Sequence, residues 1–186
     1  MKYGNLTLGQ VEALVNKIGG ETAVERILQG GNIGDAIAKL LAPANVVYRV
    51  MVDYGRKLKA MIEAGQYDWT NSDITEKHFP IEGSGTVEVD IELVHYGRDM
   101  STNAVLKDLD SRGLRPAKIE ELLALGAAKP ELQREFPIIA LGSVWRHLSG
   151  DRNCPYLLRY GSKRNLYLYW IDNDFAGVCR FAAVRK

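Results

Sequence analysis

Val87-Glu88-Val89-Asp90-Ile91-Glu92-Leu93 alternates apolar and acidic residues without a break. Successive side chains of a strand point to opposite faces, so this stretch predicts a half-buried strand with one wet face. Downstream the period changes. Ser101 or Thr102 caps a predicted helix carrying Val105, Leu106 and Leu109 and closed by Gly113. A second helix holds Ile119, Leu122 and Leu123 and is closed by Gly126, and Pro130 opens one more turn. The unbroken Ile138-Ile139-Ala140-Leu141 within 136–145 predicts a strand buried on both faces. Three further strand candidates follow at 155–160, 165–171 and 178–186, punctuated by Gly, Asp and Asn. A strand, then helices, then four strands is the order of an α+β fold with a mostly antiparallel sheet.

Upstream, the β-branched run Val46-Val47-Tyr48-Arg49-Val50-Met51-Val52 predicts another strand, and a short helix over 57–64 ends at Gly65. Residues 67–79 have no clear period and read as an ordered connector, because Tyr67, Trp69 and Phe79 need apolar surroundings. The first 42 residues are helical in pattern. Thr7 and Gln10 form a capping box before Val11, Leu14, Val15 and Ile18, with Leu6 placed to staple against Val11. Gly19-Gly20 ends that helix. A second carries Val24, Ile27 and Leu28, and a third carries Ile33, Ile37, Leu40 and Leu41 before Pro43. The expected organisation is a helical module over 1–43, a strand–helix connector over 44–84 and a domain over 85–186.

The helix–Gly–helix rhythm of the start invites a helix-turn-helix reading, and charge decides against it. Lys2, Lys17, Arg26 and Lys39 are matched by Glu12, Glu21, Glu25 and Asp35, whereas a DNA-reading module needs a basic face. The whole chain of 186 residues carries a formal charge of only +1, which argues against nucleic acid or an anionic membrane as partner. No apolar run reaches the about 18 residues a bilayer needs, and the first residues lack a secretory signal. The chain reads as cytoplasmic, with export by another route left open. Cys154 and Cys179 are too few for a disulfide scaffold, and the sequence leaves open whether they bond.

Catalytic motifs are missing. Gly83-Ser84-Gly85 lacks a third glycine and precedes a strand, so no helix N-terminus backs it as a phosphate cradle. No serine stands in a nucleophile elbow. His78, His95 and His147 have no second ligand at helical spacing. Adjacent Glu120 and Glu121 point apart on a helix. No enzyme activity, cofactor or metal is expected. Asp172-Asn173-Asp174 offers calcium-type oxygens, but three ligands fall short of the six or more calcium takes, so a polar turn is expected.

The run from Val105 to Leu123, with Gly113-Leu114-Arg115-Pro116 between its two helices, resembles the helix–G-x-R-P–helix element of bacterial C-type lectin-like domains. Cys179-Arg180-Phe181-Ala182-Ala183-Val184-Arg185 is similar to their last strand. The resemblance covers about residues 85–186. It implies a C-type lectin-like fold in which that last strand pairs with the first, here 87–95. The oxidase branch of the family, the formylglycine-generating enzymes, uses a cysteine pair in a motif that Cys154 and Cys179 do not match. The chain also resembles uncharacterised proteins of candidate-phylum bacteria and the variable proteins of diversity-generating retroelements. That likeness implies a diversified recognition patch at about 156–174.

The residues there read as a binding surface on their own terms. Tyr156, Arg159, Tyr160, Arg164, Asn165, Tyr167, Tyr169, Asp172, Asn173 and Asp174 combine aromatic anchors with adaptable polar groups, as paratopes do. Alternation places Asn165, Tyr167 and Tyr169 on one face and Leu166, Leu168 and Trp170 on the other, so the tyrosine face is expected outward. The expected function is non-catalytic recognition of a protein or surface ligand, with self-association left open. Two alternatives stand beside it: a DNA-associated regulator using the N-terminal helices, and a calcium-dependent sugar-binding lectin using Asp172 and Asp174.

Overall fold

The computed structural model describes residues 7–17, 20–22, 24, 25 and 46–186. The chain divides into two compact units, Met1–Ala44 and Asn45–Lys186. In the first, α1 (Leu8–Lys17) begins at the expected capping box: Gln10 N donates to Thr7 Oγ1 at 3.3 Å and Thr7 N donates to Gln10 Oε1 at 2.9 Å. Most of the second expected helix and all of the third lie outside the described residues, as do Leu6 and Ile18.

The second unit is a mixed α+β structure. In chain order it runs β1 (Val46–Asp53), α2 (Leu58–Gly65), β2 (Trp69–Thr70), β3 (Thr86–His95), α3 (Thr102–Ser111) and β4 (Leu114–Pro116). Then come α4 (Ile119–Ala128), α5 (Leu132–Glu135), β5 (Ile138–Ile139), β6 (Trp145–Arg146), β7 (Arg152–Tyr160), β8 (Lys163–Trp170) and β9 (Arg180–Arg185). The strands form one nine-stranded sheet in the order β1-β3-β9-β5-β7-β8-β2, with β4 on β9 and β6 on β7. Only β9–β5 and β8–β2 are parallel. The alternating stretch that sets the pattern is β3, and it pairs antiparallel with β9, Ile91 opposite Val184 and Leu93 opposite Ala182.

Stretch 44–84, expected as a connector, is a working part of this unit. β1 pairs with β3 over its whole length, and Phe79 is 2% exposed in the core. The expected boundary at 84/85 therefore does not fall at a break in the fold. The reason is that β3 is too apolar on its inner face to stand at a free edge, and β1 supplies its neighbour.

Alternation sorts the core into two layers. Val50, Ile91, Ile138, Leu157, Leu166 and Ala182 face α2 and α4, packing against Leu58, Met61, Leu122 and Leu123. Val94, Ile139, Cys154, Phe181 and Ala183 face the other way, against Val105 and Leu109 of α3. Neighbours Ile138 and Ile139 thus enter opposite layers, as a strand buried on both faces requires. Fully burying such a side chain contributes about 1.5–3 kcal/mol. Ser101 caps α3 by accepting from Ala104 N, and Gly113 takes φ 70° just beyond its end.

One expected stop is displaced. α4 passes through Gly126 and ends at Ala128, before Pro130. Gly126 is a packing position: a Cβ there would lie 2.2 Å from Tyr67 Oη and 2.8 Å from Leu157 Cδ1.

Candidate functional site

The β7–β8 hairpin carries most of the expected recognition residues. Its strands pair from Asn153–Trp170 to Tyr160–Lys163, and Gly161 at φ 61° makes the two-residue turn. The register sets Tyr156 opposite Tyr167 and Cys154 opposite Tyr169. Tyr156 and Tyr169 pack on the α3-side core, next to Cys154 and Phe175, and all three tyrosines remain half-buried.

These rings form a row. Trp69 of β2 lies 4.2 Å from Tyr167, Tyr156 lies 6.2 Å from Tyr167 and 5.4 Å from Tyr169, and Tyr169 stacks on Phe175 at 4.6 Å. Offset and edge-on contacts at these spacings hold aromatic pairs together. Trp69 is 42% exposed and caps one end. At the other end Tyr169 Oη donates to Asp174 O at 3.0 Å, which joins the Asp172–Asn173–Asp174 turn to the row. Burial, followed by the neighbouring tyrosines, raises the Tyr156 pKa to about 12, so its hydroxyl is a neutral donor at ordinary pH.

Four expected residues do not join this row. Arg164 is 6% exposed and shares its face with Leu166, the face that the helices cover. Its guanidinium donates to Gly65 O and Gly126 O, each at 2.8 Å, and to Gln133 Oε1 at 3.1 Å. Those carbonyls belong to the last turns of α2 and α4. The residue four on from Gly126 is Pro130, which has no N–H to give, so the arginine supplies the missing donor. Asn165 is 5% exposed because β2 adds to the sheet beside it, Trp69 in register with Asn165. Arg159 is exposed but alternates to the face opposite Tyr156. Tyr160 is 75% exposed at the hairpin end, about 13 Å along the strand from Tyr156.

Two expectations about the leucine face also change. Leu168 is half-buried and Trp170 is 47% exposed, because the covering helices stop short of this corner of the sheet. Sequence reasoning missed Trp69, whose only signal was a tryptophan in a stretch without period. A parallel pairing of two residues, Trp69–Thr70 on Asn165–Leu166, brings it in.

The turn after β8 is engaged by protein groups. Arg152 Nε donates to Asp172 Oδ1 at 2.9 Å and Trp170 Nε1 to Asp172 Oδ2 at 3.3 Å, and Arg152 holds the Asp172 carboxyl below its usual pKa. Among the described residues no group of three or more His, Cys, Asp or Glu is arranged to hold a metal ion. Cys154 and Cys179 are both unbonded and buried, and burial pushes the Cys154 thiol pKa far up. His95 Nε2 is tied to Gly177 O at 2.8 Å and His78 Nδ1 to Asp73 O at 2.8 Å. His147 Nδ1 lies 2.7 Å from Ser149 Oγ, which donates to Asp151 Oδ2 at 2.7 Å. The serine there stands between histidine and aspartate, the reverse of a relay in which a carboxylate orients the base.

The chain matches no protein-family model, no curated protein and no solved structure. No helix among the described residues is long and apolar enough to cross a membrane.

Proposed function

We propose that this protein is a non-catalytic recognition protein on a C-type lectin-like scaffold. It engages a protein or other surface ligand through the face carrying Trp69, Tyr156, Tyr167 and Tyr169. The observation that carries this reading is the contiguous aromatic row, half-exposed on the β7–β8 hairpin and bordered by the polar 172–174 turn. Aromatic rings give large contact area at small entropic cost and dominate the energetics of protein interfaces. The antiparallel pairing of β3 with β9, with α3 and α4 among the elements between them, supports the lectin-like scaffold.

The resemblance to the variable proteins of diversity-generating retroelements adds a finer expectation, that this face is diversified. Sequencing the encoding gene across a cell population tests it. Differences should concentrate at the outward positions 156, 167 and 169 and spare Arg164, Asn165 and Leu166. An even spread along the gene would overturn diversification. Recognition itself is tested by a photo-crosslinking residue at position 167, compared with one at Lys59. Specific capture from 167 that is lost on Trp69→Ala is expected. Equal capture from both positions, or none from 167, would overturn the reading.

A further inference from the structure

A second surface lies away from the aromatic row, at the outer edge of the sheet. β1 is the terminal strand, and among the described residues no strand lies beyond it. Tyr54 N donates to Gly85 O at 2.9 Å, in step with the register that sets Val52 opposite Val87 and Val50 opposite Val89. Hydrogen-bonded pairs alternate along an antiparallel ladder. Tyr48, Val50 and Val52 therefore bond to β3, while Val47, Arg49 and Met51 turn their N–H and C=O groups outward. An open row of this kind is a template for one more strand.

A cleft of about 490 Å³ adjoins that edge. The consecutive residues Arg49, Val50 and Met51 all line it. Their side chains alternate between the two faces, so the cleft meets β1 along its edge. The far wall is apolar, with Met61 of α2 and Leu123, Ala124 and Ala127 of α4. The accessible charge is mainly positive: Arg49, Arg56 and Lys129 stand against Asp53, and Glu120 of the same wall is 1% exposed. Arg56 and Lys129 have no ion pair among the described residues. On its inner edge β1 already holds a strand of matching character. β3 alternates apolar and acidic residues, and Asp90 and Glu88 lie 2.8 Å and 3.5 Å from Arg49.

We infer that the outer edge of β1 binds an extended segment of a partner protein in which apolar and acidic residues alternate, added to the sheet as a further strand. Its apolar side chains enter the cleft beside Met61 and Leu123. Its acidic side chains lie on the other face beside Arg49, and Arg56 and Lys129 add attraction from the rim. A second copy of β1 is the poorer occupant, because its own Arg49, Arg56 and Lys129 would meet these.

The test uses the full chain, labelled for amide NMR, with a synthetic peptide of residues 87–93 as the probe. Titration should protect the amides of Arg49 and Met51 from solvent exchange in a saturable way and leave Val50, already bonded to β3, unchanged. The peptide carrying Glu88→Lys, Asp90→Lys and Glu92→Lys should not bind. A strand presents alternate amides to each side, so of two peptides N-methylated at alternate residues in opposite phase, one should lose binding and the other keep it. Arg56→Glu with Lys129→Glu should weaken the peptide roughly tenfold, since rim charges steer association, with an unchanged melting temperature because both positions are exposed. The inference is overturned if no saturable protection appears, if the lysine peptide binds as tightly, or if both N-methylated peptides behave alike. It is also overturned if Arg49 and Met51 are already protected without peptide and lose that protection on dilution, which would make a second copy the occupant.

Discussion

The guanidinium of Arg164 lies over the ring of Tyr67, 5.2 Å from its centroid, and the two side chains fill the gap where α2, α4 and β8 meet. Arg164 stands in the β7–β8 hairpin, yet its two terminal nitrogens are spent on Gly65 O, Gly126 O and Gln133 Oε1, and its buried Nε has no partner. Replacing it with methionine keeps the volume but strands the Gly65 and Gly126 carbonyls. Arg164→Met should cost about 3 kcal/mol or more of stability, read from urea unfolding. A loss below about 1 kcal/mol would show the contacts to be incidental.

Tyr67 and Gly126 should be coupled. Gly126→Ala would drive a methyl to 2.2 Å from Tyr67 Oη and cost about 2–3 kcal/mol, the scale of an overpacked core. The Tyr67 hydroxyl is buried without a partner, so Tyr67→Phe should be neutral or stabilise by about 1 kcal/mol. The double variant should be more stable than the sum of the single changes by at least about 1 kcal/mol in a double-mutant cycle. Strict additivity would place the clash elsewhere.

Tyr167 and Tyr169 face the same way but are not equivalent. Tyr169 stacks on buried Phe175 and holds Asp174 O, whereas Tyr167 leans on half-exposed Trp69. Tyr169→Ala should lower stability by about 2–3 kcal/mol and Tyr167→Ala by about 1 kcal/mol or less. Thermal melts of the two variants separate the cases. Half-buried Leu168→Ala should fall between them.

High pH should loosen the fold. Tyr54 donates to Glu121 Oε1 at 2.8 Å, and its pKa is raised from 10.0 to about 12 by burial and then by Glu121. A phenol whose pKa is higher in the folded chain holds its proton more tightly there. Its stabilising contribution is complete below pH about 10 and is lost as pH climbs towards about 12. Tyr156, raised to about 12 chiefly by burial, acts in the same direction. Urea midpoints measured upward from pH about 9 should fall over that window, and Tyr54→Phe should make the fall shallower. An unchanged slope in Tyr54→Phe would remove Tyr54 from the account.

The sequence by itself determined what local period can encode. The alternation over 87–93 marked β3 and its wet face, Thr7 and the pair Ser101-Thr102 marked the starts of α1 and α3, and the apolar run at 138–141 marked a strand buried on both sides. The tyrosine spacing in β8 marked the face that carries the aromatic row.

Only the tertiary structure decided which polar residues of that hairpin stay outside. Arg164 and Tyr169 look alike as paratope residues in a string. One is drawn inward because two helix ends, Gly65 and Gly126, arrive beside it lacking donors, and those ends are 99 and 38 residues away in sequence. Asn165 is covered and Trp69 recruited by a parallel pairing of two residues, too short to leave a period. Gly126 looked like a helix stop because a bare α-carbon is the usual sign of one, but here it makes room for Tyr67 and Leu157. Periodicity reports which face of an element is apolar; which distant element covers that face, and where the cover ends, is fixed by packing.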